Sequence, residues 1–385
     1  MKIGFIRYPQ YLYNKGVVIR GGSEIANQYI IDYFKSNDIE VVEFEPKNAQ
    51  RIDLVKIQAL GTPLMFQDLL NRMEEINSCD LIFTTNWFGS IFPEINKPII
   101  TVFHHDAQLV LRFSDLSAVD NKSLFNKWLK RLQKFSIGLR NKQTLHDQII
   151  SIGEQYLADK SVRNIVVSDF LKENLIKDYN LDKEKIRVVF NSFPLDWLSE
   201  TVKKDYHIEK LKVVCLTRLP IDEAGVIVKG VDRFFEILAT EKNTDKILIA
   251  STKPGVYANF IKTYLDKVTY IENASRKEVK KLLKGAQISI HTSRCESFGL
   301  SVVESMLMGN IPIMYSTGVV DEFIENGVNG FIVKNHQEVL KTIKLLNKDR
   351  KMLERISLNA RKSVLEKMAP NVIGQQYLEI VKEVL

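Results

Sequence analysis

Gln287-Ile288-Ser289-Ile290-His291 is followed two residues later by Arg294-Cys295-Glu296-Ser297-Phe298-Gly299-Leu300-Ser301-Val302-Val303-Glu304, and together they spell strand, turn and helix. The first stretch alternates polar with β-branched apolar side chains, the period of a half-buried strand. The second predicts a helix from Phe298 to Met308, with Leu300, Val303, Leu307 and Met308 available for one apolar face and Gly309-Asn310 before Pro312 as its stop. A strand that turns on glycine into a helix is a building unit of α/β sheets.

The chemistry expected at that turn follows from the helix start. Its first backbone N–H groups have no partners within the helix, and with the dipole they favour an anion, a demand that a diphosphate would meet. Gly299 lets the anion approach. Glu304 lies about five residues into the helix, roughly 7.5 Å along its axis, while Glu296 stays in the loop on the other side of the turn. Carboxylates accept hydrogen bonds and make poor phosphate ligands, so each is better set against hydroxyls, one on a ribose and one on a sugar beyond the phosphates. That pattern describes a nucleoside diphosphate sugar. An arbitrary glutamate pair would instead be two solvated side chains on a surface helix. The strand, glycine turn and helix context weighs against that here.

These residues resemble the E-x7-E motif of the retaining glycosyltransferases of family 4. Val319 to Val333, with Glu322, Gly327, Gly330 and Phe331, is similar to the segment that closes that family's donor domain. The resemblance is strong after Lys212, weaker before it, and covers nearly the whole chain. It implies an α/β protein of the GT-B fold, two Rossmann-like domains facing each other across a cleft, and sugar transfer with retention at the anomeric carbon. The domains expected are 1–195 for the acceptor and 196–366 for the donor, with a C-terminal helix near 367–385 packing back on the first.

The hydropathy pattern gives two α/β halves. In the first, strands are expected at Lys2 to Arg7, Ile39 to Phe44, Leu81 to Thr84, Ile99 to Phe103, Asn164 to Val167 and Arg187 to Phe190, alternating with helices such as Ser23 to Phe34 and Phe170 to Lys177. The second half repeats the theme at Leu211 to Leu216, Lys246 to Ala250, Val268 to Ile271, Gln287 to His291 and Ile311 to Tyr315. Alternation of this kind predicts parallel sheets covered on both faces. Asn191-Ser192-Phe193-Pro194 and the polar Ser199 to Tyr206 mark a hinge between the halves.

Ligands of such sheets bind beyond the carboxyl ends of the strands. Gly21-Gly22-Ser23-Glu24 precedes the first long helix and resembles the family's glycine loop, with Gly22 as the substrate-binding position; its plain alternative is a turn with Ser23 as N-cap. Phe103-His104-His105-Asp106 ends a strand. Counted from Lys97-Pro98, His104 matches the family's active-site histidine, whereas the His-Asp pair alone would select His105. A neutral imidazole there would hydrogen-bond a sugar hydroxyl or position the acceptor. Adjacent histidines on a strand point to opposite faces, which argues against a shared metal ion.

Leu216-Thr217-Arg218-Leu219 and Lys229-Gly230-Val231-Asp232 resemble the arginine and lysine that neutralise the leaving diphosphate, although Thr217 stands where the family usually has glycine and the interval to Lys229 is long. Arg218 would fork two phosphate oxygens and Lys229 would supply a point charge. The expected catalytic set is Glu296, His104, Arg218 and Lys229. Phe298, Gly299, Leu300, Ser301 and Glu304 would join Gly22, Arg218, Lys229 and Glu296 in holding substrate. Ser251-Thr252-Lys253-Pro254 departs from the family's Gly-Asp-Gly-Pro turn, and Ile271-Glu272-Asn273-Ala274 falls where the backbone reads the base.

No Asp-x-Asp occurs in the chain, so the expectation is metal-independent transfer with no cofactor beyond the donor, a UDP-sugar being favoured. Breaking the anomeric bond leaves charge on the departing diphosphate, and stabilising it should outweigh any one proton transfer. The acceptor would be a glycan, lipid-linked or protein molecule. Two rival readings are a nucleotide-sugar epimerase on the same architecture, and a non-catalytic partner subunit that keeps the fold.

Composition is compatible with this and does not produce it. At 385 residues, 45% hydrophobic and 26% charged, the chain has room for two soluble domains with their own cores. No apolar run approaches the roughly 20 residues of a membrane span, and the first residues read as a strand, so a cytoplasmic protein is expected. Three widely separated cysteines, Cys79, Cys215 and Cys295, argue against a disulfide framework; Cys215 reads as core and Cys295 as accessible beside the site. The net charge of +7 has a local source in Asn121 to His146, seven Lys and Arg without an acid, interleaved with Phe125, Trp128, Leu129, Leu132 and Phe135. Such an amphipathic helix suits the anionic inner face of a membrane; no recognition motif accompanies it, which argues against nucleic acid.

Overall fold

A computed structural model describes residues 1–7, 12–14, 17–19, 22–46, 67–92, 94–109, 140–219, 223–251, 257–265 and 267–385. Among these the chain divides into two compact units, one of residues up to 195 together with Met368–Leu385, the other of Asp196–Lys367.

In the first unit the apolar runs become β1 (Lys2–Ile6), β4 (Glu40–Phe44), β5 (Leu81–Thr85), β6 (Ile99–Phe103), β7 (Arg163–Val166) and β8 (Ile186–Val188), joined in one parallel sheet in the order β4-β1-β5-β6-β7-β8. Every residue of β5 and β6 is buried, as expected of strands covered on both faces. A short antiparallel hairpin of β2 (Leu12–Asn14) and β3 (Val17–Ile19) had no counterpart in the hydropathy pattern. On one face Ile3, Phe5, Leu81 and Phe83 pack with Ile31 and Phe34 of the helix Gly22–Ser36 and with Tyr377, Ile380 and Val381 of the helix Pro370–Val384. Phe5 and Phe83 stack at 5.5 Å.

The second unit has β9 (Lys212–Arg218), β10 (Asp245–Ser251), β11 (Val268–Glu272), β12 (Ile288–His291), β13 (Ile311–Tyr315) and β14 (Phe331–Val333), all parallel, in the order β11-β10-β9-β12-β13-β14. Numbered within the unit, that order is 3-2-1-4-5-6, the doubly wound arrangement of dinucleotide-binding sheets. Strand β14 lies in the segment Val319 to Val333 and was not expected as a strand; three residues are too few to show a period. Among the described residues, no helix is long and apolar enough to cross a membrane.

The passage between units, at Leu195 and Asp196, falls between the two stretches read as a hinge. Asn191 to Pro194 are buried, and Ser192 Oγ donates to the Met368 carbonyl at 2.9 Å. The basic segment Asn121 to His146 lies outside the described residues except for the backbone of Arg140 to His146, which begins the helix Arg140–Lys160.

Candidate functional site

Sheet order fixes where a ligand can sit in the second unit. The chain runs outward from β9 through β10 to β11 and then returns to place β12 on the other side of β9, so the strand order reverses between β9 and β12. The crevice beyond the carboxyl ends of these two strands is the binding position of such sheets. Arg218 ends β9 with an exposed side chain that forms no ion pair among the described residues, and β12 ends at His291 and leads into the loop that carries Glu296.

That loop is held against Lys229-Gly230. Gly230 adopts φ 58, and a Cβ there would stand 1.9 Å from the Thr292 carbonyl oxygen, so both the left-handed backbone and the close approach require glycine. The Arg294 amide donates to the Val228 carbonyl, and its guanidinium forks both carboxylate oxygens of Asp232 at 2.7 Å. Residue 229 is thereby brought beside residue 296: Lys229 Nζ donates to Glu296 Oε1 at 2.8 Å, and Ser293 Oγ donates to the same oxygen at 2.6 Å. Glu296 is further fixed by a parallel bridge to Gly318. Burial would raise the Glu296 carboxyl, but the Lys229 charge and the two hydrogen bonds outweigh it and hold the group below its usual range. Burial keeps His291 neutral by lowering it to about 4.

The helix opens as expected on Gly299 but is shorter, Leu300–Leu307, with Gly299 at φ 89 as its N-cap. The Val302 and Val303 amides bond back to the Gly299 carbonyl, so the Leu300 and Ser301 amides precede the first intrahelical bonds. Gly299, Leu300 and Ser301 are all partly exposed. The Phe298 side chain is buried against Phe323 with ring centroids 5.9 Å apart and anchors the turn. Cys295, expected to be accessible, is instead 5% exposed, because the loop folds inward between its bonds to Lys229 and Val228.

Glu304 is 4% exposed. Its Oε1 receives a 2.8 Å bond from Arg276 Nη2. Arg276 opens the helix Arg276–Gly285 directly after a Ser275–Glu278 capping box, and its guanidinium lies 4.7 Å from the centre of the Trp197 ring. Sequence reasoning missed Arg276. The S-x-x-E signature locates the helix start, but pairing across 28 positions is a tertiary event.

In the first unit Gly22 is the exposed first residue of its helix, so Ser23 lies inside the helix and donates to Glu24 at 3.0 Å. His104 and His105 both fall in the turn after β6, in different environments. His104 is buried with Nε2 2.8 Å from Asn27 Oδ1; burial lowers its pKa to about 3, so the ring is neutral. Asn27 Nδ2 donates to Thr85, which turns Oδ1 toward His104 and makes Nε2 the donor, leaving Nδ1 as a buried acceptor without a partner among the described residues. His105 is exposed. Behind it, Tyr179 donates to Glu154 at 2.8 Å, and the buried Glu154 carboxyl is raised to about 8 by desolvation. The turn at Thr252 to Pro254 lies outside the described residues; Asn273 stands in the left-handed region at φ 53, its amide bonded to the Ala250 carbonyl.

Residues 228–363, all within the second unit, match the family model of glycosyl transferases group 1. An uncharacterized glycosyltransferase of Methanocaldococcus jannaschii is 24% identical over 246 residues, 59% of this chain and 62% of that protein, so the alignment spans under two thirds of the relative. Among solved structures, sucrose-phosphate synthase from Thermosynechococcus elongatus superposes with a TM-score of 0.75 at 14% identity, over 99% of this chain and 98% of that one. Anabaena HepE, solved in complex with UDP-glucose, covers both chains in full with a TM-score of 0.66 at 17% identity. These likenesses define the fold as GT-B, two parallel-sheet Rossmann-like domains.

Proposed function

We propose that this protein is a retaining, metal-independent glycosyltransferase that moves a sugar from a nucleoside diphosphate sugar, most simply a UDP-sugar, to a glycan, lipid-linked or protein acceptor. The observation that carries this is the start of the helix Leu300–Leu307, where the Leu300 and Ser301 amides take no bond among the described residues, with Glu296 in the loop before it paired to Lys229 and Glu304 within it paired to Arg276. The group 1 domain supports the reaction class, and the UDP-glucose bound by Anabaena HepE supports the choice of base.

In this reading the diphosphate sits on the amides of Leu300 and Ser301, where the helix start favours an anion. Lys229 and Arg218 neutralise the charge that grows as the anomeric C–O bond breaks. The acceptor oxygen forms the new bond on the face the diphosphate leaves, and its proton passes to the departing phosphate oxygen. Glu296, kept ionised by Lys229, orients sugar hydroxyls, and Glu304 reads the ribose. The neutral His104 ring would hydrogen-bond a sugar hydroxyl or position the acceptor. The basic segment 121–146 would bring a lipid-linked acceptor's membrane to the enzyme, which salt-sensitive binding to anionic but not neutral liposomes would support.

A thermal-shift screen of UDP-, GDP- and ADP-sugars with and without a chelator tests the reading. A ligand present at 100 times its Kd adds about 2.7 kcal/mol to the folded state. The expected result is a UDP-sugar response that survives chelation; no response to any of the three overturns the donor site, and strict dependence on magnesium or manganese overturns the metal-free mechanism.

A further inference from the structure

Glu304 has an asymmetric carboxylate. Oε1 is taken by Arg276 Nη2 at 2.8 Å, whereas among the described residues no donor meets Oε2. Arg276 is itself placed from two directions. The capping box of Ser275 and Glu278 fixes the start of its helix, and the Trp197 ring, 2% exposed, forms a shelf 4.7 Å beneath its guanidinium. That shelf is held in turn: Lys280, one helical turn on, stands 5.8 Å over the same ring and donates to Glu200 at 2.6 Å, and Lys284 reaches Glu200 as well. A planar guanidinium stacked on an aromatic face and bonded to a nearly buried carboxylate has few alternative positions.

Resting on the donor-site reading above, we propose that Arg276 is the positioning residue for ribose recognition: it occupies Oε1 so that Oε2 of Glu304 is presented to the 2′- and 3′-hydroxyls of the nucleotide. Arg276 holds the carboxylate in one rotamer through its bond to Oε1, and Oε2 is left to accept from both hydroxyls. Without Arg276, Glu304 is free to turn its oxygens elsewhere, and the nucleotide keeps its phosphate contacts while losing the ribose contact. Ribose selectivity should therefore fall further than affinity for the diphosphate.

The test is calorimetric titration of UDP, GDP and ADP into the full chain, followed by the 2′,3′-dideoxy form of the tightest binder, for the wild type, Arg276→Met and Arg276→Lys. The wild type should prefer the ribose form by about tenfold or more, the value of a hydrogen bond to a charged group. Arg276→Met should reduce that preference to within about threefold of unity, and Arg276→Lys should recover part of it. If Arg276→Met fails to fold, Arg276→Gln and Arg276→Lys report the same ratio. A wild-type preference that Arg276→Met leaves unchanged, or an equal loss of affinity for both forms, overturns the role of Arg276 and leaves the reading of Glu304 standing. A wild type that binds both forms equally, or binds none of the three nucleotides, overturns that reading and the role of Arg276 with it.

Discussion

Lys229 and Glu296 are joined by a 2.8 Å hydrogen-bonded ion pair across 67 positions, which ties the segment before Gly230 to the loop that precedes the helix Leu300–Leu307. A bound diphosphate would compete with Glu296 for the ammonium group. Replacing Lys229 with Met should lower kcat/KM by about 100-fold, the usual loss when a donor to developing negative charge is removed. It should also cost about 1–3 kcal/mol in stability, because the partly buried Glu296 loses its partner. Steady-state kinetics and urea unfolding measure the two effects, and a variant with wild-type kcat/KM would remove Lys229 from the reaction.

The same pair sets a pH signature. The Glu296 pKa is lowered from 4.5 by Lys229 and Ser293 against the opposing effect of burial, so its contribution to stability is complete above the unfolded value and is lost as pH falls through the folded one. The stability gap between wild type and Glu296→Gln should hold constant from pH 8 to about 5 and shrink below about 4.5. A gap that closes near neutrality would mean that Glu296 is not held ionised.

Glu154 should behave in the opposite sense. Its carboxyl is raised from 4.5 to about 8 by burial, so the folded state holds a proton that the unfolded state has already released. Between these values its contribution falls as pH rises, by up to about 1.4 kcal/mol per pH unit. Guanidinium unfolding at pH 5.5, 6.5 and 7.5 should show a shallower decline for Glu154→Gln than for the wild type. Parallel declines would show that Glu154 ionises normally.

Gly230 is the hinge pin between the Lys229 strap and the loop from Thr292 to Glu296. Substitution with Ala adds a Cβ 1.9 Å from the Thr292 carbonyl oxygen and places a side chain at φ 58. Gly230→Ala should lose about 2 kcal/mol or more, and donor binding should weaken with it as Lys229 moves off Glu296. Chemical denaturation alongside nucleotide titration reads both; an unperturbed variant would show that the loop can move away freely.

Most of the sheet framework is visible in the primary structure because its strands are buried on both faces and read as short apolar runs. Ile99–Phe103 and Ile311–Tyr315 lie within their expected bounds, and the other ends shift by only a residue or two. Strand Phe331–Val333 and the hairpin at Leu12–Asn14 and Val17–Ile19 were too short to show a period. At the site, local rules placed Gly299 at the helix mouth and Glu296 in the loop before it. They did not reveal that Arg276 would cover one oxygen of Glu304, that Phe298 would turn inward to Phe323, or that Cys295 would be enclosed. Each depends on which distant segment packs on the turn, and no periodicity within a window of ten residues encodes that.

The most direct measurement is a crystal structure of the protein soaked with UDP. It should place diphosphate oxygens within about 3 Å of the Leu300 and Ser301 amides, with the ribose hydroxyls on Glu304 and Lys229 turned toward phosphate. A nucleotide bound elsewhere with the first turn of Leu300–Leu307 empty, or bound with its ribose facing away from Glu304, would contradict the proposed donor site.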